Sequence, residues 1–200
     1  MQKLPILLIY SRLLLGIVIV LLSIFHVDSS GYISVTLLTI GLLTDIFDGI
    51  IARRLNISSQ RLRRLDSTID QCFFIAVAVA TYLQQPSFFK QHAFTLITLL
   101  ACEALTYLVS FIKFKKEIAT HSIGAKIWTL LLFATLIQLL LTGNSTILFA
   151  ICFWVGLITR VEIIAIIITL KKWTNDVPTL YHAIQLKKGK VIKRHKLFNG

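Results

Sequence analysis

Six long apolar runs, separated by short polar connectors, constrain this chain more than any other feature of its sequence. A transmembrane helix needs about 20 consecutive, mostly apolar residues. The runs cover residues 5–25, 32–55, 66–83, 89–113, 122–141 and 146–170. Because 56% of the 200 residues are hydrophobic, more than a soluble domain of this size buries, we predict an all-α integral membrane protein with a bundle of six transmembrane helices.

The sequence changes character only after Lys171, where the last apolar run ends and a polar, basic stretch begins. It contains no repeat of fixed period and no low-complexity linker. We therefore predict one membrane domain over residues 1–171 and a basic tail over residues 172–200. The six Lys and Arg residues of the tail between positions 187 and 196 would lie beside an anionic membrane surface.

The basic residues are distributed unevenly between the connectors. A net charge of +12 would suggest a nucleic-acid partner in a soluble protein, but here Lys and Arg form no single stripe, and we expect no such partner. The connectors near residues 29–31, 85–90 and 143–145 hold one basic residue, Lys90, whereas the opposite connectors are rich in Lys and Arg. Since cytoplasmic loops carry the excess of positive charge, both termini are predicted to be cytoplasmic.

Several ionisable residues lie inside or at the ends of the apolar runs. Such a residue costs a few kcal/mol in a membrane, so it needs a partner or a function. At about 1.5 Å per residue, all of them fall in one layer near the cytoplasmic side, which predicts a polar cavity that faces the cytoplasm. They are Arg12, Asp45, Asp48, Asp66, Asp70, Glu103, Lys126 and Arg160.

The aspartates in this layer are spaced as two pairs. Asp45 and Asp48 are three residues apart and Asp66 and Asp70 are four apart, so each pair shares one face of a helix. Four carboxylates close together repel one another unless a cation is present, and oxygen ligands favour Mg²⁺ or Mn²⁺ over zinc. The pattern therefore predicts a metal site. Ion pairs with the arginines at positions 53, 54, 61, 63 and 64 are the alternative.

The two pairs belong to a longer pattern. From Asp45 to Asp70 the sequence reads DxxDGxxAR, then eight residues, then LxxxDxxxD. This resembles the signature of the CDP-alcohol phosphatidyltransferase family, in which the last part reads GxxxDxxxD, so that only Leu62 departs from it. Residues 125–129 also resemble the family's GKxKT element, with departures at Ala125 and Trp128.

The resemblance implies a reaction and a set of site residues. Family members displace CMP from a CDP-linked lipid with the hydroxyl of a small alcohol, using two divalent ions at each site. Asp70 would then be the general base and could also contact a metal. The implied metal ligands are Asp45, Asp48, Asp66 and Asp70, and the implied nucleotide-binding residues are Asp48, Gly49, Ala52, Arg53 and Leu62.

Two features of the implied site leave alternatives open. A glycine at position 62 would imply a close approach by the nucleotide, and Leu62 adds four carbons there, so that a shifted helix admits CDP, the donor differs, or activity is lost. Arg12, Lys126 and Arg160 could bind an anionic acceptor, with glycerol 3-phosphate as the first candidate and inositol phosphate or serine as others. Each of these bases could instead pair with an aspartate or with Glu103 or Glu162.

Three functions are compatible with these residues. The first is an enzyme that transfers a phosphatidyl group from CDP-diacylglycerol to a small alcohol in phospholipid synthesis, and the resemblance implies that it is a homodimer in the bilayer. The second is an inactive homologue that serves as a membrane scaffold, which only Leu62 favours. The third is a divalent-cation transporter, which is disfavoured because the outer halves of the runs carry almost no ionisable residues.

Overall fold

The structure is a computed structural model that describes residues 4–54, 60–116, 118, 120, 122–190 and 192. The side chains of residues 53, 54, 60, 61, 63 and 64 are not described. Within these residues every regular element is a helix. The helices are α1 (Leu4–Ile24), α2 (Ser30–Arg54), α3 (Gln60–Gln84), α4 (Pro86–Gln91), α5 (Ala93–Phe114), α6 (Ile123–Thr142), α7 (Thr146–Thr169) and α8 (Leu180–Lys187).

Five of the described helices are long and apolar enough to cross a membrane: α1, α2 over Ser30–Ala52, α5, α6 and α7. The predicted all-α membrane architecture is confirmed, but the predicted count of six spans is not. The third predicted run lies in α3, which has 25 residues but a first half rich in charge, including Asp66 and Asp70. Its length would suffice for a span, whereas its composition is that of an amphipathic helix.

The fourth predicted span is divided. The apolar run predicted over residues 89–113 forms two helices, because α4 ends at Gln91 and α5 begins at Ala93. Pro86 occupies the first position of α4, where the missing N–H of proline removes no helical hydrogen bond. His92 separates the two helices with a backbone outside the helical range, so the membrane-crossing part starts four residues later than predicted.

The chain forms two compact units. The N-terminal unit comprises Met1–Lys90 and Leu136–Asn144, and the C-terminal unit comprises Gln91–Thr135 and Ser145–Gly200. In the N-terminal unit α1 packs against both α2 and α3. The buried residues of α1, among them Ile9, Arg12, Gly16 and Ile19, recur every three or four positions and form one continuous face.

Phe73 of α3 lies at the centre of the packing in the N-terminal unit and is almost fully buried. Its ring lies so close to Gly41 of α2 that a Cβ atom there would come within 2.4 Å of the Phe73 Cζ atom. A Cβ atom on Gly16 of α1 would likewise meet the Cβ atom of Ala76 at 3.2 Å. Small residues therefore bring these three helices close together, as is common between membrane helices.

In the C-terminal unit α7 packs against both α5 and α8. The segment before α8 is hydrogen-bonded to the segment at the start of α6. The Val177 N–H donates to the Thr120 carbonyl at 2.8 Å, and the Ile123 N–H donates to the Pro178 carbonyl at 3.0 Å. Val177 is fully buried in a small apolar cluster with α7 and α8. Much of the predicted tail is thus packed structure, while its basic positions 193, 194 and 196 lie outside the described residues.

Candidate active site

The two aspartate pairs of α2 and α3 lie together around the guanidinium group of Arg12, which projects from the buried face of α1. Each pair shares a face of its helix because its members are about one turn apart. Since α1 packs against both α2 and α3, a side chain on its buried face can reach both pairs. We call Asp45, Asp48, Asp66 and Asp70 the carboxylate cluster.

Each terminal nitrogen of Arg12 contacts one aspartate of α2 and one aspartate of α3. The Nη1 atom donates to Asp45 Oδ1 at 2.8 Å and also contacts Asp70 Oδ1. The Nη2 atom donates to Asp48 Oδ2 at 2.5 Å and also contacts Asp66 Oδ1. Asp45 is therefore opposite Asp70, and Asp48 is opposite Asp66, with one guanidinium nitrogen between the members of each opposing pair.

The cluster is buried on one side and accessible on the other. The side chains of Arg12 and Asp48 are only 1% and 3% exposed, whereas those of the other three aspartates are between 29% and 39% exposed. Four carboxylates and one guanidinium leave a formal charge of −3 when all are ionised. Like charges this close favour the binding of additional cations.

The donor atoms of the cluster suit a divalent cation. Asp45, Asp48 and Asp66 each offer a carboxylate oxygen, and these three atoms lie within 4.8 Å of one another. A set of carboxylate oxygens without sulfur or imidazole favours Mg²⁺ or Mn²⁺. Three of the four predicted ligands therefore form a group that could hold an ion, and Asp70 adjoins it through its contact with Arg12.

The family comparison agrees with this geometry. A family model described as CDP-alcohol phosphatidyltransferase matches residues 2–171, which is most of the chain and includes every aspartate of the cluster. The chain belongs to the CDP-alcohol phosphatidyltransferase family. Searches of curated proteins and of solved structures found no match. Family membership supports an integral membrane protein with a phosphatidyl-transfer role in phospholipid synthesis and a requirement for divalent metal.

Arg12 lies at the centre of the carboxylate cluster. The sequence assigned Arg12 to acceptor binding, with pairing to an aspartate as the alternative, and the structure shows contacts with all four aspartates. The alternative in which the aspartates pair with the arginines at positions 53, 54, 61, 63 and 64 involves side chains outside the described part of the chain. The sequence left both roles of Arg12 open, because depth in a span does not reveal which way a side chain points.

The predicted nucleotide-binding residues flank the cluster on the same two helices. Gly49 follows Asp48 directly, and Ala52, one turn further along α2, is buried. Leu62 lies one turn before Asp66 on α3 and is half-buried. The side chain of Arg53 lies outside the described residues. The motif positions therefore continue from the carboxylates towards the ends of α2 and α3 that the connector joins.

The other predicted acceptor residues lie in the C-terminal unit. Arg160 of α7 donates from its Nε atom to Glu103 Oε2 of α5 at 2.5 Å, and its Nη2 atom lies 2.5 Å from the same oxygen. Its guanidinium carbon also lies 3.7 Å from the ring centroid of Trp128, a cation–π contact. Lys126 is an exposed residue in the first turn of α6. The pairing of Arg160 with Glu103, which was the alternative to acceptor binding, is thus present.

Proposed function

We propose that this family member transfers a phosphatidyl group from CDP-diacylglycerol to a small alcohol and releases CMP. The observation that carries the proposal is the carboxylate cluster: four aspartates from the family motif converge from two helices on one arginine, Arg12. A site of this charge favours cations, and cleavage of a phosphoanhydride needs them.

Within this proposal, Asp45, Asp48 and Asp66 hold Mg²⁺ or Mn²⁺, with two ions per site and Asp70 as a further ligand. When bound, the ions supply charge that stabilises the phosphoryl oxygens and the leaving CMP. Asp70 also serves as the general base. The acceptor oxygen forms a bond to the phosphorus that carries diacylglycerol, the bond from that phosphorus to CMP breaks, and the acceptor proton passes to Asp70.

The nucleotide is proposed to lie against Asp48, Gly49, Ala52, Arg53 and Leu62. Gly49 and Ala52 have little bulk, so the diphosphate and ribose can approach the backbone of α2. The planar guanidinium of Arg53 can pair with a phosphate group through two parallel hydrogen bonds. Leu62, which occupies the position of a motif glycine, would limit the space at the edge of this pocket.

The acceptor is proposed to be anionic, with glycerol 3-phosphate as the first candidate, and to contact Lys126 and Arg160 of the C-terminal unit. Arg160 supports this role because its Nη1 atom is buried and has no hydrogen-bond partner among the described residues. A buried, unpaired donor of this kind is unfavourable until an acceptor oxygen binds it. The basic connectors further suggest that the termini and the site face the cytoplasm, and the family resemblance suggests a homodimer.

The experiment is an assay of purified protein in detergent with CDP-diacylglycerol, Mg²⁺ and a panel of acceptors that contains glycerol 3-phosphate, inositol phosphate, serine and glycerol. We expect CMP release that depends on one of these acceptors and stops when EDTA removes the metal. Release with glycerol 3-phosphate alone would support the anionic acceptor. Binding of CDP-diacylglycerol without CMP release, with every acceptor and with either Mg²⁺ or Mn²⁺, would replace the enzyme with an inactive, lipid-binding homologue.

A further inference from the structure

Arg12 contacts the same carboxylates that would hold a metal ion. A cation held by Asp48 and Asp66 must lie between their oxygens, and the Nη2 atom of Arg12 contacts both carboxylates there. The Nη1 atom has the same relation to Asp45 and Asp70. The guanidinium nitrogens therefore lie between the aspartates of α2 and those of α3, where positive charge is required.

Arg12 offsets one of the four formal charges of the carboxylate cluster. With Arg12 in place the formal charge is −3, and one divalent ion would reduce it to −1. Two divalent ions would balance the four carboxylates without any contribution from Arg12. The Nε atom of Arg12 is also buried and has no hydrogen-bond partner among the described residues, so its own hydrogen bonding is incomplete.

Simultaneous binding of Arg12 and metal at the same oxygens is unfavourable for two reasons. A magnesium ion needs carboxylate oxygens at about 2.0–2.1 Å, which places it in the volume that the guanidinium fills. A guanidinium and a divalent ion a few ångströms apart also repel each other strongly in a partly buried site. Arg12 itself is only 1% exposed, so water cannot screen this repulsion effectively.

We propose that Arg12 is a built-in counter-cation, which holds α2 and α3 together in the metal-free protein and is displaced from the carboxylate cluster when divalent ions bind. This inference rests on the proposed metal-binding role of the cluster. It assigns to Arg12 a competition with metal that its sequence position on α1 does not suggest.

The test measures Mn²⁺ binding to purified protein in detergent, without lipid substrate, from the electron paramagnetic resonance signal of free Mn²⁺. Arg12→Gln removes the competing charge, so we expect its apparent dissociation constant for Mn²⁺ to be lower than that of the natural protein by on the order of tenfold. Arg12→Lys keeps one charge on a single nitrogen and should give an intermediate value. Arg160→Gln, which removes an equally buried arginine from the C-terminal unit, should bind Mn²⁺ as the natural protein does.

Thermal unfolding gives a second readout. Without metal, Arg12→Gln should unfold at a lower temperature than the natural protein, because four carboxylates then lose the guanidinium that all of them contact. Addition of Mn²⁺ should raise its unfolding temperature by more than it raises that of the natural protein. If Arg12→Gln does not fold without metal, the same comparison is made with Arg12→Lys.

The outcomes separate this inference from the proposed function. Tighter Mn²⁺ binding by the Arg12 variants supports displacement. Equal or weaker binding by folded variants overturns it, because Arg12 would then leave the metal oxygens free or help to position them, and the metal site itself would stand. Absence of Mn²⁺ binding in the natural protein and in every variant overturns the metal site together with the inference.

Discussion

Arg12 of the N-terminal unit and Arg160 of the C-terminal unit are both buried, but they differ in the number of carboxylates that they contact. Arg12 contacts four carboxylates, which exceed its charge by three. Arg160 contacts one carboxylate, that of Glu103, and stacks on Trp128, so its charge is matched. Both arrangements supply the partner that an ionisable residue in a membrane requires.

The difference lies in what each arrangement still lacks. In the N-terminal unit, the four carboxylates of the cluster carry more charge than Arg12 alone offsets, so the cluster can accept cations. In the C-terminal unit Arg160 is paired with Glu103, and its Nη1 atom has no hydrogen-bond partner among the described residues, so this atom can donate to an additional anionic or carbonyl oxygen. Under the proposed function, the carboxylate cluster is the metal site and Arg160 is a contact for the acceptor.

The largest effect is expected from Asp48→Asn. This change removes the most buried ligand of the proposed metal site, and we expect the rate of CMP release to fall by roughly 10³-fold, the equivalent of several kcal/mol of charge stabilisation. The unfolding temperature in metal-free buffer should change little or rise, because Arg12 keeps three carboxylates and their mutual repulsion decreases. Asp66→Asn should behave in the same way.

Glu103→Gln is the matched control for that experiment, since it removes a carboxylate that also pairs with a buried arginine. Normal metal dependence is expected in this variant. Ordinary activity in Asp48→Asn, measured with the same protein concentration and metal, would remove Asp48 from the proposed ligands.

The second prediction concerns stability, and here Glu103→Gln is the variant with the larger expected effect. Glu103→Gln leaves the 6% exposed Arg160 side chain without its counter-charge, and we expect the free energy of unfolding to fall by about 2–3 kcal/mol, somewhat less than for a fully buried pair. Arg160→Gln leaves only Glu103, which is 37% exposed, and should lower it by about 1 kcal/mol. Denaturant unfolding in mixed micelles would measure both, and equal losses would contradict the asymmetry.

The third prediction tests the role proposed for the C-terminal unit. Lys126→Ala should raise the KM for glycerol 3-phosphate by about tenfold, the equivalent of one charge-assisted hydrogen bond, and should leave the KM for glycerol nearly unchanged. Lys90→Ala, which removes an exposed lysine from the last turn of α4, is the control. An equal rise in KM for both acceptors would remove Lys126 from anion recognition.

The convergence of the carboxylates could be predicted from sequence because it depends on local spacing. Residues three or four apart share a helix face, and two such pairs at similar depth on consecutive helices lie close together. The all-helical membrane architecture follows in the same way from the length of the apolar runs. Both inferences use distances along the chain and do not require knowledge of which helices pack together.

The features that were missed depend on packing between distant segments. The direction in which Arg12 points is set by the contacts of α1 with α2 and α3. Because α1 is apolar at nearly all of its positions, its sequence does not show which face packs against these helices. The return of the chain at Val177 depends on hydrogen bonds to Thr120 and on burial against α7. Neither residue type nor spacing signals these contacts, and the basic charge after Lys171 indicated only a tail beside an anionic membrane surface.

The smallest effect is expected at Leu62, the one departure from the motif, which is half-buried one turn before Asp66. Leu62→Gly should lower the free energy of unfolding by about 1 kcal/mol through helix propensity, in addition to the apolar burial that is lost. Leu62→Ala is the matched variant, because it removes most of the bulk and keeps a good helix former. If Leu62 restricts the nucleotide pocket, both variants should bind CDP-diacylglycerol more tightly than the natural protein, and glycine should gain at least as much as alanine despite its lower stability. Titration with CDP-diacylglycerol at fixed Mg²⁺ would measure this.

If both variants instead bind the donor more weakly, Leu62 is a supporting wall of the pocket. The excess of negative charge at the carboxylate cluster would then act in a site that already accommodates the nucleotide.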